Sequence, residues 1–187
     1  MKKTIFINIL ILSVVLYSCG NDPVPKPNGM LRLEYPTASY VSVEKKVCPY
    51  IFQVNKETTV KTSNNCSMTV DYPQMNASIY ITYKPVKNNL DKLLRDAQKL
   101  TYEHVAKADN IQEQPFVNPD NKVYGMFYLV TGNAASASQF YVTDSTSHFL
   151  TGSLYFNTKP NYDSVLPAAK YLEEDIRKIM ESLKWQN

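Results

Sequence analysis

The sequence contains few of the residues on which most metal and catalytic sites depend. It has only two histidines, His104 and His148, so a histidine-rich metal site is excluded. It has no Gly-rich phosphate loop, no His-Glu-x-x-His motif and no Cys-x-x-Cys pair. We therefore expect no metal, no cofactor and no catalytic residues of a familiar type.

The sequence also lacks a block of basic residues. Its 20 Lys and Arg residues exceed its 17 acidic residues by three. Loss of residues 1–18, which hold Lys2 and Lys3, lowers the formal charge from +3 to +1. A chain so nearly neutral is a poor match for nucleic acid, which we exclude as a partner.

The one long apolar run, residues 5–17, follows the positive start Met1-Lys2-Lys3. A bilayer span needs ~20 apolar residues, so this shorter run is typical of a secretory signal. Leu16-Tyr17-Ser18-Cys19 has the pattern of a bacterial lipobox, although Tyr17 is bulkier than usual. We predict a signal peptide over residues 1–18, with the lipid attached to Cys19. An ordinary cleaved signal and an uncleaved anchor are the alternatives.

A proline-rich segment follows the predicted lipid attachment site. Residues 19–29 contain Pro23, Pro25 and Pro27, which favour an extended polyproline II spacer between a membrane and a folded body. Residues 30–187 are long enough for a single domain with its own hydrophobic core.

The two remaining cysteines, Cys48 and Cys66, allow one intramolecular disulfide in an oxidising envelope compartment. On the chain-entropy model such a bridge would contribute ~3 kcal/mol to stability. Two free buried thiols are the alternative. No further cysteine or histidine at zinc-like spacing accompanies them.

The order of predicted elements indicates an α+β fold. Short β-branched and aromatic runs bounded by proline or asparagine predict strands in the first half, over residues 31–35, 50–54, 67–72 and 77–83. Residues 121–131, 138–143 and 148–156 predict an antiparallel meander in the second half. The run from Tyr124 to Val130 is apolar on both faces, as expected for a central strand covered on each side.

Two amphipathic helices complete the prediction. The first follows a cap at Asn88 or Asn89, and its apolar stripe runs from Leu90 to His104. This stripe is typical of a helix that covers one face of a sheet, with a membrane or partner helix as the alternative. The second helix runs from about residue 163 to Lys184. We therefore predict an antiparallel β-sheet with two main helices packed on it.

One hydroxyl-rich turn, Asp144, Ser145, Thr146 and Ser147 followed by His148, resembles a hydrolase triad at first sight. A triad needs the serine near one histidine nitrogen and the carboxylate near the other. Three members crowded into one hairpin seldom reach that geometry, and no Gly-x-Ser-x-Gly elbow is present. We interpret the turn as a structural or surface motif that satisfies its own amides, with an envelope hydrolase as the alternative.

The sequence is rich in tyrosine, with 14 residues. Because tyrosine has an apolar body and a polar tip, it suits both sheet surfaces and binding patches. A small-ligand or glycan binder is therefore a third hypothesis. A pocket lined by Tyr80, Tyr128 or Tyr141 would favour it, and burial of these side chains beneath the helices would count against it.

Several stretches resemble a known protein family. They include Cys19 with Pro25-Lys26-Pro27, Cys48-Pro49-Tyr50-Ile51-Phe52, Tyr80-Ile81-Thr82-Tyr83-Lys84, Ser138-Gln139-Phe140-Tyr141-Val142-Thr143-Asp144-Ser145-Thr146, Gly152-Ser153-Leu154-Tyr155-Phe156 and Leu183-Lys184-Trp185. On these residues the chain resembles the gliding motility-associated lipoprotein GldD family.

The resemblance implies an envelope lipoprotein needed for gliding motility and for the associated type IX secretion machinery. It implies protein components of that machinery as partners, and it brings no catalytic residues with it. We expect anchoring in the outer membrane, facing the periplasm, with the cytoplasmic membrane as the alternative.

Overall fold

The computed structural model describes residues 34–103, 105–158 and 161–186. Cys19 and His104 lie outside these ranges. The elements, in chain order, are β1 (Tyr40–Glu44), β2 (Tyr50–Asn55), β3 (Thr59–Thr62), β4 (Met68–Tyr72), β5 (Ala77–Pro85), α1 (Leu90–Tyr102), β6 (Ala108–Asn118), β7 (Val123–Gly132), β8 (Ser136–Thr143), β9 (His148–Phe156), α2 (Tyr162–Ser182) and β10 (Lys184–Trp185). A single 3-10 turn, Pro73–Met75, joins β4 to β5.

The larger sheet has seven antiparallel strands in the order β3-β4-β5-β9-β8-β7-β6. The predicted meander of β7, β8 and β9 is confirmed. Strands β5 and β9 pair along their whole lengths, from Ala77 opposite Phe156 to Pro85 opposite His148. This pairing joins the first and second halves of the chain in one sheet.

One face of the large sheet packs against α2 and against a three-stranded sheet of order β1-β2-β10. Because strand side chains alternate between faces, every second residue of β4, β5 and β9 points into this core. From α2 the core receives Leu172, Ile176, Ile179 and Met180. The apolar stripe predicted for this helix is thus its buried face.

Helix α1 lies on the opposite face of the sheet. Leu93 and Ala97 pack on Phe149, with Leu90 and Leu94 beside them. The helix therefore covers a sheet face, as the leading prediction held. Strand β7 is covered on both sides, since Phe127 and Tyr128, on opposite faces, are both buried.

The α+β class with two main helices is confirmed. Six predicted strands, now β2, β4, β5, β7, β8 and β9, begin and end within two residues of the prediction. The strand predicted over residues 31–35 is not observed in the part of it that the structure describes. Residues 31–33 lie outside the described ranges, and Glu34 and Tyr35 are not in a strand.

Four of the described strands had no prediction, namely β1, β3, β6 and the two-residue β10. Strands β1 and β3 are short, with mostly exposed or half-exposed residues, so no buried alternation marks them. Strand β6 is eleven residues long but polar, and it contains Pro115. Proline is tolerated at the edge of a sheet, where a backbone N–H need not pair. The edge position, which the sequence does not show, explains the missed strand.

The helix ends differ in detail from the prediction. Asn89 precedes α1, but its side chain accepts a hydrogen bond from the Lys87 N–H instead of capping the helix. Helix α2 ends at Ser182, two residues before the predicted Lys184. Lys184 and Trp185 instead pair with β2, because Leu183 turns the chain into an extended conformation.

Candidate functional site

The Asp144 turn joins β8 to β9 at one end of the large sheet, and its carboxylate is used by the turn itself. Oδ1 accepts the backbone N–H groups of Thr146, Ser147 and His148 at 3.0, 2.8 and 2.8 Å. Oδ2 accepts the Thr146 hydroxyl at 2.9 Å. Burial raises the pKa of Asp144, but these four donors outweigh it and hold the pKa below its ordinary value.

Ser145 occupies the strained position of this turn. Its φ of 67° lies in the left-handed region, and its N–H donates to the Thr143 hydroxyl at 2.9 Å. The Thr143 hydroxyl in turn donates to the His148 carbonyl at 2.6 Å. The turn is therefore closed by hydrogen bonds from both strands of the hairpin.

The His148 ring is engaged by aromatic side chains. Its Nδ1 shares a hydrogen bond of 3.0 Å with the Tyr83 hydroxyl. The Trp185 ring stacks on it at 5.1 Å between centroids, and the Trp185 Nε1–H donates to the Lys122 carbonyl at 3.0 Å. His148 thus packs Trp185 of β10 against the end of the large sheet where the Asp144 turn lies.

Asp144, Ser145 and His148 are neighbours in one turn, but their side chains do not make the hydrogen bonds of a catalytic triad. Within the described ranges, neither Asp144 nor Ser145 is hydrogen-bonded through its side chain to the His148 ring. Asp144 instead accepts the backbone N–H of His148. The arrangement can hold a rigid turn, and it offers no base aligned with the Ser145 hydroxyl.

A disulfide between Cys48 and Cys66 lies near the same end of the molecule, with a Cα–Cα distance of 5.4 Å. Both residues are buried, at 3% and 6% exposure. The hydroxyl of Tyr50 donates to the Cys66 carbonyl. The bridge therefore ties the loop before β2 to the loop before β4.

The three tyrosines of the ligand-binding hypothesis lie in different environments. Tyr128 is 1% exposed beneath α1, and burial raises its pKa. Tyr141 also lies beneath α1, stacked on Phe149. Tyr80 is 46% exposed on the open part of the same face and meets the Tyr155 ring edge-on. Tyr128 and Tyr141 line a cavity of only about 10 Å³, which is too small for a ligand, and Tyr80 does not line it. This counts against the small-ligand hypothesis.

A buried carboxylate that was not predicted from the sequence, Asp175, lies on α2. It is 1% exposed and accepts hydrogen bonds from the Tyr40 hydroxyl at 2.7 Å and the Asn55 amide at 3.1 Å. Burial and this carboxylate raise the pKa of Tyr40. A signal was available, since Asp175 lies three residues after Leu172 and four before Ile179, on the apolar stripe of the helix.

The segment that precedes β1 is held on the same helix. The Tyr35 ring stacks on Tyr171 at 4.9 Å, and the Tyr171 hydroxyl donates to the Pro36 carbonyl at 3.1 Å. The Asn55 amide donates to the Tyr171 hydroxyl at 2.9 Å. Together with the Tyr40–Asp175 bond, these contacts fix residues 35–40 along α2.

A groove runs between the edge strand β6 and α2. Its larger cavity is about 180 Å³ and lies beside Asn110 and Gln112 of β6 and Leu166 and Lys170 of α2. A smaller one of about 70 Å³ lies further along, beside Phe116 and Met180. The described residues bring no three His, Cys, Asp or Glu side chains together as metal ligands.

Neither α1 nor α2, the two helices of the described ranges, has the length and apolarity needed to cross a bilayer. A family model described as "Gliding motility lipoprotein GldD" matches residues 20–185. No curated protein matches the chain. The solution structure of cyanobacterial PsbP (CyanoP) from Synechocystis sp. PCC 6803 is similar, with a TM-score of 0.46 and 9% identity, covering 88% of this chain and 99% of that chain.

Proposed function

Because the chain belongs to the gliding motility lipoprotein GldD family, we propose that it is a non-enzymatic docking or assembly component of the gliding apparatus. In this proposal it also serves the associated type IX secretion machinery, and its partners are protein components of these assemblies. The lipid on Cys19 anchors it in the outer membrane, with residues 30–187 forming one folded domain in the periplasm.

The observation that carries the non-enzymatic proposal is the use of the Asp144 carboxylate. Its two oxygens accept four hydrogen bonds from within the turn. The His148 ring is held by Tyr83 and Trp185. A hydrolase would need these groups directed at a substrate, so the geometry supports a structural role for the turn.

The anchoring part of the proposal gains support from the segment that follows the linker. Tyr35 and Pro36 lie on Tyr171 of α2, and Tyr40 is bonded to Asp175 inside the fold. A force applied to a lipid-anchored N-terminus would therefore act on α2, the longer of the two described α-helices, before it acts on any sheet edge. A component of a moving machine has to resist loads of this kind.

The test is a clean gene deletion complemented with variants in the native organism. The proposal expects the deletion to abolish surface movement without slowing growth. Wild type and the Ser145→Ala, His148→Ala double variant should restore movement, while Cys19→Ala should leave an unacylated precursor. Normal movement in the deletion strain would refute the motility role.

Loss of movement in the Ser145→Ala, His148→Ala variant at unchanged protein level would favour the hydrolase. Labelling with a fatty-acid analogue checks the anchor, since lipid still attached to the Cys19→Ala protein would refute the assignment of Cys19. Crosslinking in living cells, followed by mass spectrometry, identifies the partners.

A further inference from the structure

Among the described strands, β6 forms the longest open sheet edge. It pairs with β7 alone among them, whereas the opposite edge of the seven-stranded sheet, β3, has four residues. Within the described ranges no other backbone hydrogen bond reaches residues 108–118. An open edge presents unpaired N–H and C=O groups, the chemistry that recognises an extended polypeptide.

Only part of this edge is suited to pairing. Pro115 has no N–H, and proline in a sheet faces its nitrogen away from the neighbouring strand. Because the direction of the backbone groups alternates along a strand, Ile111 and Glu113 also direct their N–H and C=O groups outward. The register shift between Ala108 and Asn110 interrupts the edge at its start. The regular, proline-free stretch is therefore Asn110–Gln114.

The larger cavity of the groove lies beside this stretch. Asn110 and Gln112 line it from β6, on the face of the sheet that carries α2. Its volume of about 180 Å³ is comparable to the ~150 Å³ cavity that binds benzene in another protein. It has room for one leucine- or phenylalanine-sized side chain.

The charged side chains near this cavity determine which partner residues it can accept. Arg177, which lines the smaller cavity, links β6 to α2, because its Nη2 donates to Gln114 at 2.5 Å and to Glu173, which lines the larger cavity, at 2.8 Å. Lys170 lines it from α2, is exposed, and forms no ion pair with a described residue. The cavity thus combines an apolar floor, which includes Leu166, with an available cation at its rim.

We propose that Asn110–Gln114 of β6 pairs with an extended segment of a partner protein. One apolar side chain of that segment, opposite Gln112, fills the cavity beneath α2, and an acidic residue two positions away, on the same face of the segment, meets Lys170. The inference rests on the proposed docking function and specifies the surface that performs it. Tyr35 and Pro36 lie beside Tyr171, on the side of α2 that faces β2 and away from this groove.

The test uses residues 19–187 with Cys19→Ser against a displayed library of random nonapeptides. The proposal expects enrichment of peptides with an apolar residue and an acidic residue two positions apart. On peptide binding, hydrogen exchange at the Ile111 and Glu113 amides should slow by at least tenfold. An unenriched library, or protection confined to another part of the molecule, would overturn the proposal.

Matched variants locate the contact. Ile111→Pro removes an outward N–H within the stretch and should weaken peptide binding at least tenfold. Val117→Pro makes the same change beyond Pro115 and should leave affinity within twofold. Lys170→Glu should weaken acidic peptides about fivefold, and Lys92→Glu, on the exposed face of α1, should not. Equal effects of Ile111→Pro and Val117→Pro would contradict the proposal, with thermal unfolding as the check that each variant folds.

If a proline variant fails to fold, hydrogen exchange of the free wild-type protein still tests the proposal. Protection of Ile111 and Glu113 in the free chain would show that the edge is already covered. If that protection depends on concentration, a second copy covers the edge. If it does not, a segment of the same chain does. Either result overturns the proposal. Peptide binding with normal movement in the deletion strain would refute the docking function and leave this site standing.

Discussion

Replacement of Asp144 tests whether its carboxylate builds the turn. Asp144→Ala removes the acceptor of three backbone N–H groups and one hydroxyl. The Thr146 and Ser147 amides lie in an exposed part of the turn, so water can replace the carboxylate there, whereas His148 is half-buried. A buried donor without a partner costs ~1–3 kcal/mol. We expect the variant to lose ~1–2 kcal/mol, since one donor of the four is shielded.

The assay is urea unfolding at two pH values. With a slope of ~2 kcal/mol per molar urea, the midpoint of Asp144→Ala should fall by ~0.5–1 M at pH 7. Asp144→Asn keeps one oxygen acceptor without the charge and should lie between the wild type and Asp144→Ala. Both variants are compared with Ser145→Ala, whose side chain takes no part in these bonds.

The pH dependence has a definite sign. Because the folded pKa of Asp144 is lowered, the carboxylate contributes stability above the unfolded value of ~3.9, and this contribution is lost as the pH falls through the folded pKa. The gap between wild type and Asp144→Asn should therefore close below about pH 4. An unchanged midpoint in Asp144→Ala would refute the reasoning. A stable Asp144→Asn protein that cannot restore movement would show that the charge serves something other than the turn.

Three further predictions concern stability. Cys48→Ser with Cys66→Ser should lower the free energy of unfolding by ~3 kcal/mol, and a reductant should shift the wild-type midpoint but not that of the variant. Gly152→Ala places a Cβ 2.0 Å from the Phe140 ring. It should cost ~1–3 kcal/mol, less in a Phe140→Leu background, and an equal cost in both would refute the clash. Tyr40→Phe removes a 2.7 Å bond to the buried carboxylate of α2 and should cost ~1–3 kcal/mol. A thermal midpoint equal to wild type would contradict this.

The fold could be predicted where the signal is local. The stripe of α1 and the alternation of β4 each appear within one short window, because a side chain's direction follows from its place in a helix or strand. The family resemblance, carried by stretches such as Tyr80–Lys84, is confirmed by the match to residues 20–185. The polar strand β6 has no such alternation, so its strand character depends on the neighbour β7.

The candidate site could be predicted only in part. The hydroxyl-rich composition of residues 144–148 indicates a turn, and the structure shows the bonds that close it. The Tyr83 and Trp185 side chains on His148 come from residues 65 and 37 positions away, so no spacing reveals them. The environment of Asp175 could be predicted in part, since its place on an apolar stripe predicts burial but does not reveal its hydrogen-bond partners.

The amino-acid sequence by itself determined the two amphipathic helices, the β7-β8-β9 meander and the family. Only the tertiary structure decided which strands form edges, what the Asp144 carboxylate binds and how Asp175 is satisfied. The physical reason is the distance along the chain over which each effect acts. Periodicity and turn chemistry act over a few residues, whereas edge exposure and buried hydrogen bonds arise when segments far apart in the chain, such as Tyr40 and Asp175, are brought into contact.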